Sequence, residues 1–217
     1  KFHGNLKFTN TISDSKSEFQ NSFLNKIKNR KVWCASSTHQ SEEIFCAKTH
    51  KMLKKTYQDI LTIIVPRHVE RANVIISELS KLNLNVVNYS NYQKMNEKTD
   101  ILLIDAYGET KKVYSISKCV FLGKSLIKSM EKDSGQNPIE ASRFGCKIFH
   151  GPFISNFLEI YEYLKSLKVT KKINTYEELG ESIMYEIKNK AGNDTQTKEK
   201  LDSYGINILN NVIKEIK

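Results

Sequence analysis

The segment DSGQNPIEASRFG, residues 133–145, places an amide and a carboxylate at the start of a predicted helix. Asn137 is a favourable N-cap, Pro138 suits the first helical position, and Glu140 can reach back to the cap and complement the helix dipole. Helix capping therefore explains these residue types on its own. The same helix start can also present the side chains of Asn137 and Glu140 to a ligand, so the segment alone leaves both interpretations open.

Further polar segments follow directly after short apolar runs that are typical of buried strands. They read SSTHQSEE (36–43), PRH (66–68), AYGE (106–109), GKS (123–125) and GPFISNF (151–157). Because ligands bind beyond the carboxyl ends of the strands in an open parallel sheet, these segments are candidates for one shared site. Small residues let the backbone approach a ligand, and free N–H groups at helix starts suit a phosphate.

Each of these segments also has a structural interpretation. SSTHQSEE has the pattern of a capping box in which Thr38 or Ser41 pairs with a downstream glutamate. Arg67 can pair with a carboxylate, and AYGE can be an ordinary turn into a helix. GKS lacks the upstream glycine of a phosphate-binding P-loop, and the chain contains neither G-x-G-x-x-G nor G-x-S-x-G. The chain therefore lacks the commonest sequence signatures of nucleotide-binding proteins and hydrolases.

Alternating strands and helices position the polar segments. Apolar runs predict strands at 31–36, 60–66, 85–89, 101–105, 119–123 and 147–151. Helices are predicted at 41–57, 70–82, 139–145, 155–167, 175–190 and 195–216, with a short helical stretch before 119 and a possible first helix near 17–29. This order predicts an α/β fold, a doubly wound Rossmann-like domain with about six parallel strands. Residues 1–30 are interpreted as a lead-in segment and 31–217 as the domain.

The composition excludes several classes of protein. The 217 residues, 39% of them hydrophobic, suffice for one large core, and no apolar run reaches the roughly 20 residues that cross a bilayer. The four cysteines and five histidines show no zinc-like spacing, which predicts reduced, buried thiols and no metal. The net charge of +10 either reflects a lysine-rich surface or favours an anionic partner: nucleic acid, an acidic membrane surface or a phosphorylated substrate.

Taken together, the motifs resemble the C-terminal half of 3-deoxy-D-manno-octulosonic acid (Kdo) transferase, an enzyme family of lipopolysaccharide synthesis. The resemblance rests on GNLKF (4–8), ASSTHQSEE (35–43), IIVPRHVER (63–71), IDAYGET (104–110), FLGKSL (121–126), GQNPIEA (135–141) and GPFISNF (151–157). It implies one half of a GT-B glycosyltransferase, in which two Rossmann-like halves face each other across a cleft. The C-terminal half of such an enzyme binds the donor, CMP-Kdo.

The resemblance also implies which residues bind the donor. They are Ser37, Thr38, Arg67, Tyr107, Gly108, Glu109, Lys124, Ser125, Gln136, Asn137 and Glu140. Arg67 matches the family's nucleotide-contacting arginine, the backbone of 107–109 matches its phosphate-binding turn, and 37–38 matches a polar loop near the donor. Asn137 and Glu140 match an Asn-x-x-Glu that resembles a ribose-recognising pair, because a carboxylate can accept two hydrogen bonds from a vicinal diol.

Two positions depart from the family pattern. Gln136 stands where the family usually has a histidine, and Lys124 stands where it has a glycine before the serine that matches Ser125. The loop at 127–134 is also longer than usual. Because glutamine cannot carry a charge, Lys124 is a candidate for supplying positive charge to the donor instead.

The family reaction is an inverting transfer without a metal or other cofactor, and its acceptor is a lipid A precursor at the cytoplasmic face of the inner membrane. The general base of the family is a carboxylate in the N-terminal half. This sequence begins at Lys1 and lacks that half. We therefore expect a fragment that binds the donor without catalysing, with an anionic membrane surface and the missing N-terminal domain of the same protein as further partners.

Other functions remain open on the sequence. An epimerase-type, GT-B-like sugar-nucleotide enzyme would prefer UDP ligands to CMP ligands. A basic RNA-binding domain would bind in a salt-sensitive manner, but the chain has no recognised RNA-binding signature, and we expect no nucleic acid partner. A non-catalytic interaction module that keeps only the fold would bind no nucleotide.

Overall fold

The computed structural model describes residues 18–189, 199–201, 203, 206 and 214. The strands in this part of the chain are β1 (Lys31–Thr38), β2 (Ile60–Pro66), β3 (Val86–Asn88), β4 (Ile101–Leu103), β5 (Cys119–Leu122), β6 (Lys147–His150) and β7 (Thr170–Lys172). They form one seven-stranded sheet in the order β3-β4-β2-β1-β5-β6-β7, and every neighbouring pair is parallel. The predicted α/β, Rossmann-like fold is confirmed.

The inner strands consist mostly of apolar residues because both faces of the sheet are covered. All seven residues of β2, ILTIIVP, are buried. Strands buried on both faces read as continuous hydrophobic runs rather than as alternating patterns. β1 pairs with β2 on one side, where Cys34 lies opposite Ile63, and with β5 on the other, where Ala35 lies opposite Phe121.

Helices cover both faces of the sheet. They are α1 (Asn21–Ile27), α2 (Glu42–Lys54), α3 (Ala72–Ser80), α4 (Thr110–Ile116), α5 (Ile139–Arg143), α6 (Leu158–Ser166) and α7 (Tyr176–Lys188). Short 3₁₀ helices occupy Val69–Arg71, Tyr89–Lys94, Lys128–Asp133 and Ser155–Phe157. Apolar residues of α1, α4, α5 and α6 share one core cluster, and those of α2, α3 and α7 share the other. Each helix thus buries its apolar side against one face of the sheet.

The connections leave β1 and β5 in opposite directions. The chain runs from β1 through α2 to β2, toward β4 and β3, whereas it runs from β5 through α5 to β6, toward β7. In an open parallel sheet, ligands bind in the crevice beyond the carboxyl ends of two such neighbouring strands. The crevice between β1 and β5 is therefore the place to look for a site.

The seventh strand, β7, was not predicted. It pairs with β6 at the edge of the sheet, with Thr170 opposite Ile148 and Lys172 opposite His150. Only Thr170 of its three residues is buried, and the other two are exposed lysines. A three-residue edge strand of this kind has no apolar run that could be recognised in the sequence. It is defined by its pairing with β6.

Both ends of the chain extend beyond the described residues. The motif GNLKF at 4–8 and most of the helix predicted at 195–216 lie outside them, although residues 199–201 are helical. Phe23 and Ile27 of α1 are buried in the core cluster that α1 shares with α4. The predicted division at residue 30 stays a prediction. Among the helices that the structure describes, none is long and apolar enough to span a membrane.

A buried polar network lies at the opposite, amino edge of the sheet. Asp100 contacts the Lys54 ammonium and His50 Nε2, and its second carboxylate oxygen accepts the N–H of Asn85 at 2.8 Å. His50 Nδ1 lies 2.9 Å from Thr62 Oγ1. Burial by itself would raise the pKa of Asp100, but these partners outweigh burial and lower that pKa well below its usual value. The network stabilises the fold at a distance from the crevice.

Candidate functional site

The carboxylate of Glu42 joins the two loops that border the crevice. Its Oε2 accepts the backbone N–H of His39 at 3.0 Å and that of Lys124 at 2.8 Å, and its Oε1 accepts those of Ser125 and Leu126 at 3.0 and 3.1 Å. Burial raises the pKa of Glu42, although the four N–H donors favour the charged form. The first residue of α2 thereby fixes the backbone that follows β5.

Gly123 allows this close approach of the two loops. An added Cβ at this position would lie 2.5 Å from the carbonyl oxygen of Ser37 and 2.6 Å from Glu42 Oε2. No real Cβ atom tolerates such distances, so only glycine fits here. The next residue, Lys124, is held in the left-handed region at φ 55°. That conformation is energetically unfavourable for residues with a side chain and is usually adopted by glycine.

Lys124 also closes the long loop at 124–135. Its carbonyl accepts the N–H of Gly135 at 2.6 Å, and its ammonium lies 2.7 Å from Asp133 Oδ2. The other oxygen of Asp133 accepts the amide of Asn156. The Lys124 ammonium lowers the pKa of the exposed Asp133 carboxyl. The Lys124 ammonium, which the sequence suggested as a source of positive charge for the donor, therefore has a defined position at the carboxyl edge.

Ser125 holds together the segments that follow β5 and β6 at the carboxyl edge of the sheet. Its hydroxyl donates to the carbonyl of Leu122 at 2.6 Å and accepts the N–H of Gly151 at 2.9 Å. Its carbonyl accepts the N–H of Phe153 at 3.0 Å. The side chain is fully buried. Ser125 therefore supports the loops after β5 and β6 from beneath.

Thr38 has a similar supporting position at the end of β1. Its hydroxyl donates to Glu43 Oε1 at 3.1 Å, and Glu43 in turn accepts two hydrogen bonds from the Arg71 guanidinium, at 2.9 and 3.3 Å. Burial raises the pKa of Glu43, and Arg71 opposes that shift. Ser41, the other predicted cap, makes no side-chain capping bond and has φ 78°. The glutamates of SSTHQSEE thus bind loops rather than forming a standard capping box.

Arg67 lies immediately after β2, with its side chain exposed to solvent. Its backbone N–H donates to the carbonyl of Thr38 at 2.9 Å, which places it directly beside the end of β1. Its guanidinium forms no ion pair with a carboxylate of the described residues, unlike Arg71 with Glu43. The purely structural interpretation of Arg67 therefore finds no partner in this part of the chain, and the cation is available to a ligand.

The turn after β4 is open toward solvent. Gly108 has φ 85°, and an added Cβ there would meet nothing within 4 Å. Tyr107 is 65% exposed, and its hydroxyl donates to Glu70 Oε1 at 2.7 Å, which lowers the pKa of Glu70 and raises that of Tyr107. Glu109 pairs with Lys112 of α4 at 2.9 Å. The turn therefore offers an accessible backbone at Gly108, while the neighbouring side chains bind other protein groups.

The segment QNPIE leads into α5, but the N-cap position is Pro138 rather than the predicted Asn137. Asn137 Oδ1 accepts the N–H of Ile139 at 3.0 Å, so this side chain is bonded to the helix start from just outside it. Glu140 does not reach back to the cap. Its side chain is 41% exposed and lies 3.7 Å from the Lys111 ammonium of α4. Gln136 binds the core through its carbonyl, which accepts the Tyr161 hydroxyl at 3.0 Å. Glu140 is thus free of the capping role and accessible.

The structure places all of the predicted donor-binding residues at the carboxyl edge of the sheet. They lie at the end of β1 or in the segments that follow β2, β4 and β5. Arg67, Tyr107, Gly108 and Asn137 are exposed, whereas the hydroxyl groups of Thr38 and Ser125 are hydrogen-bonded inside the protein. The sequence predicted no role for His39 or for Glu42 in joining the loops. The signal in the sequence was a pair of adjacent acidic residues directly after a polar turn.

Within the described residues, no group of three or more His, Cys, Asp or Glu side chains is arranged to hold a metal ion. The cysteines Cys34, Cys46, Cys119 and Cys146 are all free and buried, and burial raises the pKa of each thiol. Buried thiols of this kind act as small apolar side chains rather than as nucleophiles.

The fold defines a class of protein first. A single parallel sheet flanked by helices, with its crevice between β1 and β5, is the Rossmann-like fold of the C-terminal domains of GT-B glycosyltransferases. The C-terminal CMP-Kdo binding domain of WaaA from Acinetobacter baumannii superimposes with a TM-score of 0.69 and 23% sequence identity, covering 88% of this chain and 99% of that domain. The glycotransferase of kitacinnamycin gives a TM-score of 0.54 at 10% identity, over 95% of this chain and 47% of that protein.

Sequence relatives then define the family that the chain resembles. It is 30% identical to the Kdo transferase of Haemophilus influenzae over 207 residues, which are 95% of this chain and 47% of that protein. It is also 30% identical to the probable mitochondrial Kdo transferase of Arabidopsis thaliana, over 94% of this chain and 44% of that protein. No protein-family model matches the chain. The resemblance to Kdo transferases is confirmed along nearly the whole chain, which spans about half the length of these curated relatives.

Proposed function

We propose that this chain is the donor-binding half of an inverting glycosyltransferase that transfers Kdo from CMP-Kdo to a lipid A precursor. The observation that carries the proposal is the location of the residues that match the family's donor motifs. All of them lie at the carboxyl edge of the sheet, where the connections of β1 and β5 diverge, in a chain that resembles Kdo transferases over 95% of its length. This is where an open parallel sheet binds nucleotides.

The charges around the crevice suit a nucleotide phosphate. The Arg67 guanidinium is exposed, and the Lys124 ammonium is held at the same edge of the sheet. The backbone at Gly108 is accessible. When CMP leaves the sugar, negative charge develops on its phosphate, and positioned cations and N–H groups stabilise that charge. Arg67, Lys124 and the turn at Gly108 would supply these groups.

Asn137 and Glu140 suit the ribose of the donor. Asn137 is fixed by its bond to the N–H of Ile139, and its amide N–H₂ group has no hydrogen-bond partner within the part of the chain that the structure describes. The Glu140 carboxylate is accessible and lies 3.7 Å from the Lys111 ammonium. A charged carboxylate can accept hydrogen bonds from both hydroxyls of a vicinal diol. Asn137 can therefore hold the helix start through its Oδ1 and still contribute, with Glu140, to binding of the ribose.

The acceptor side of the reaction belongs to the rest of the proposed enzyme. By analogy with the family, we expect the general base in an N-terminal domain and the lipid A precursor at the cytoplasmic face of the inner membrane. The net charge of +10 is compatible with an anionic membrane surface. We expect the 217-residue chain to bind the donor nucleotide without turnover.

Calorimetric titration of the chain with CMP, with UMP as the comparison, tests the proposal. We expect selective binding of CMP that Glu140→Ala weakens. Glu162→Ala is the matched control, because Glu162 is also an exposed glutamate beside a lysine, 3.9 Å from Lys165 on α6, but lies outside the crevice residues. It should leave the affinity for CMP unchanged, and both variants should keep the wild-type melting temperature.

Other outcomes support other functions. Preference for UMP over CMP would favour an epimerase-type enzyme. Binding of RNA with a steep dependence on salt, and no response to Glu140→Ala, would favour an RNA-binding domain. Absence of binding to either nucleotide, in a chain that is folded, would contradict the proposal and favour an interaction module.

A further inference from the structure

His39 lies at the mouth of the crevice, between the loop after β2 and the loop after β5. Its backbone N–H is bonded to the same Glu42 oxygen that binds the backbone of Lys124. Its ring meets the ring of His68 edge-on, with 5.8 Å between the centroids. The imidazole is half-buried. It therefore has a fixed position beside predicted donor-binding residues, although it is not one of them itself.

One ring nitrogen of His39 is occupied and the other is not. Nδ1 lies 3.2 Å from the carbonyl oxygen of Ser37. A carbonyl can only accept, so Nδ1 carries the hydrogen in both the neutral and the charged ring. The Ser37 backbone has φ 55°, in the left-handed region. Nε2 is left without a hydrogen-bond partner among the described residues, and it is the atom that gains the proton when the ring becomes charged.

The charges around His39 make the protonation of its ring sensitive to a bound anion. Burial is the largest cause that lowers the pKa of His39, and the hydrogen bond to the Ser37 carbonyl raises that pKa. His68 and Lys124, which face the ring from the two neighbouring loops, lower it further. Glu43 of α2 opposes this effect, but its carboxylate already binds Arg71. Glu42 is engaged by four backbone N–H groups. In the free protein, both nearby carboxylates are therefore engaged by other groups. A phosphate that entered the crevice would supply a further negative charge and would favour the protonated form of His39.

We propose that His39 is a further donor-binding residue, whose Nε2 donates a hydrogen bond to the phosphate of the bound nucleotide. This inference rests on the proposed function and deepens it. It predicts that the protein takes up a proton when it binds a phosphate, because the charged ring makes the stronger bond. Affinity for a phosphate should then rise as the pH falls, whereas affinity for an uncharged nucleoside should not.

The test uses the methyl ester of CMP, whose single phosphate charge does not titrate near neutral pH, with cytidine as the uncharged comparison. Dissociation constants are measured by calorimetry between about pH 8 and about pH 5.5. For the wild-type chain, we expect the affinity for the ester to rise by up to about tenfold per pH unit over part of this range. The affinity for cytidine should stay constant.

Two substitutions separate the role of Nε2 from that of Nδ1. In His39→Asn, the side-chain amide can keep the hydrogen bond to the Ser37 carbonyl but has nothing in place of Nε2. In His39→Gln, the amide can reach the position of Nε2 but carries no charge. We expect both to remove the pH dependence, and His39→Gln to keep more of the affinity at high pH. His68→Asn is the matched control and should keep the pH dependence.

The possible failures are distinguishable. If the ester does not bind at any pH, the proposed function is wrong and the inference falls with it. If the ester binds but the pH dependence persists in both His39 variants, the proposed function stands and the inference is wrong. Loss of the pH dependence in His68→Asn alone would also overturn it, because the titrating ring would then be His68. Equal melting temperatures of the variants at neutral pH establish that the comparison is between folded proteins.

Discussion

Glu42 and Lys124 lie 82 residues apart in the chain and are joined by a hydrogen bond of 2.8 Å from the Lys124 backbone N–H to Glu42 Oε2. The bond crosses the point where the connections of β1 and β5 diverge. It lets one buried carboxylate fix the loop after β5 while the Lys124 ammonium remains at the edge of the sheet. The geometry of the candidate site therefore depends on a residue that would not itself touch the donor.

Replacement of Glu42 by Gln should destabilise the protein and weaken nucleotide binding together. An amide places an N–H₂ group against two backbone N–H donors, so those donors lose their acceptor while remaining buried. A cost of about 2 kcal/mol is expected for such unsatisfied groups. Urea unfolding measures the change in the free energy of unfolding, and calorimetry with CMP measures the change in affinity.

Asp100→Asn is the matched control for Glu42→Gln. Asp100 is also a buried carboxylate that accepts a backbone N–H, that of Asn85 at 2.8 Å, but it lies at the amino edge of the sheet. We expect this control to lower the free energy of unfolding without changing the dissociation constant for CMP. Equal loss of CMP affinity in both variants, measured where both are folded, would contradict the role of Glu42 in positioning the loops.

Gly123→Ala and Gly108→Ala should lower the free energy of unfolding by different amounts, because different features oppose alanine at the two positions. At Gly123 the new methyl group would lie 2.5 Å from the Ser37 carbonyl oxygen and 2.6 Å from Glu42 Oε2, so the two loops would have to separate. At Gly108 there is open space, and only the positive φ of 85° opposes alanine, at a cost of about 1 to 2 kcal/mol. We expect a clearly larger loss of unfolding free energy for Gly123→Ala in urea titrations. Equal losses would show that the loops can yield at Gly123.

The sequence predicted the sheet well because its inner strands are buried on both faces. Runs such as ILTIIVP are continuous in the sequence for the same reason that β2 is buried along its length in the structure. The edge strand β7 escaped prediction because two of its three residues are exposed lysines. A short edge strand depends on its neighbour, and no pattern within residues 170–172 reports that neighbour.

The candidate site was predictable in location but not in its internal contacts. The polar segments after the strands had to meet at one edge, because parallel strands all end there. The sequence could not indicate that Glu42 binds the backbone of Lys124, since such a contact depends on the order of strands in the sheet. It also could not indicate that, in QNPIE, the Asn137 side chain binds the N–H of Ile139 whereas Glu140 lies beside Lys111.

Lys124→Gly should separate the charge of Lys124 from its backbone conformation. Glycine takes φ 55° without strain, so the substitution should leave the stability unchanged or raise it by up to about 1 kcal/mol. It also removes the ammonium group, which pairs with the exposed Asp133. If Lys124 supplies positive charge to the donor, the affinity for CMP should fall several-fold while the melting temperature does not. Lys128→Gly, in the same loop, is the control for an added glycine. Unchanged CMP affinity in Lys124→Gly would remove Lys124 from the predicted donor-binding residues.

His150 should make the stability of the protein depend on pH below neutrality. Its ring is buried against Tyr161, Nδ1 donates to the carbonyl of Gly151 at 2.7 Å, and burial lowers its pKa to about 4. Because the pKa of histidine in an unfolded chain is about 6.5, the unfolded state binds one more proton than the folded state between these values. Stability is therefore retained above about pH 6.5 and lost as the pH falls toward about 4, by up to about 3 kcal/mol from this residue.

His150→Asn tests this assignment, because the asparagine amide can still donate to the Gly151 carbonyl but does not titrate. We expect the free energy of unfolding, measured in urea between about pH 7 and about pH 5, to fall less steeply in the variant than in the wild type. Part of the slope should remain, since burial also lowers the pKa of His39 and of His50. Tyr161→Phe removes a hydroxyl at the same place without changing a group that titrates in this range, so it should shift the whole curve without altering its slope. A slope in His150→Asn equal to that of the wild type would show that His150 is not the residue that couples folding to protonation.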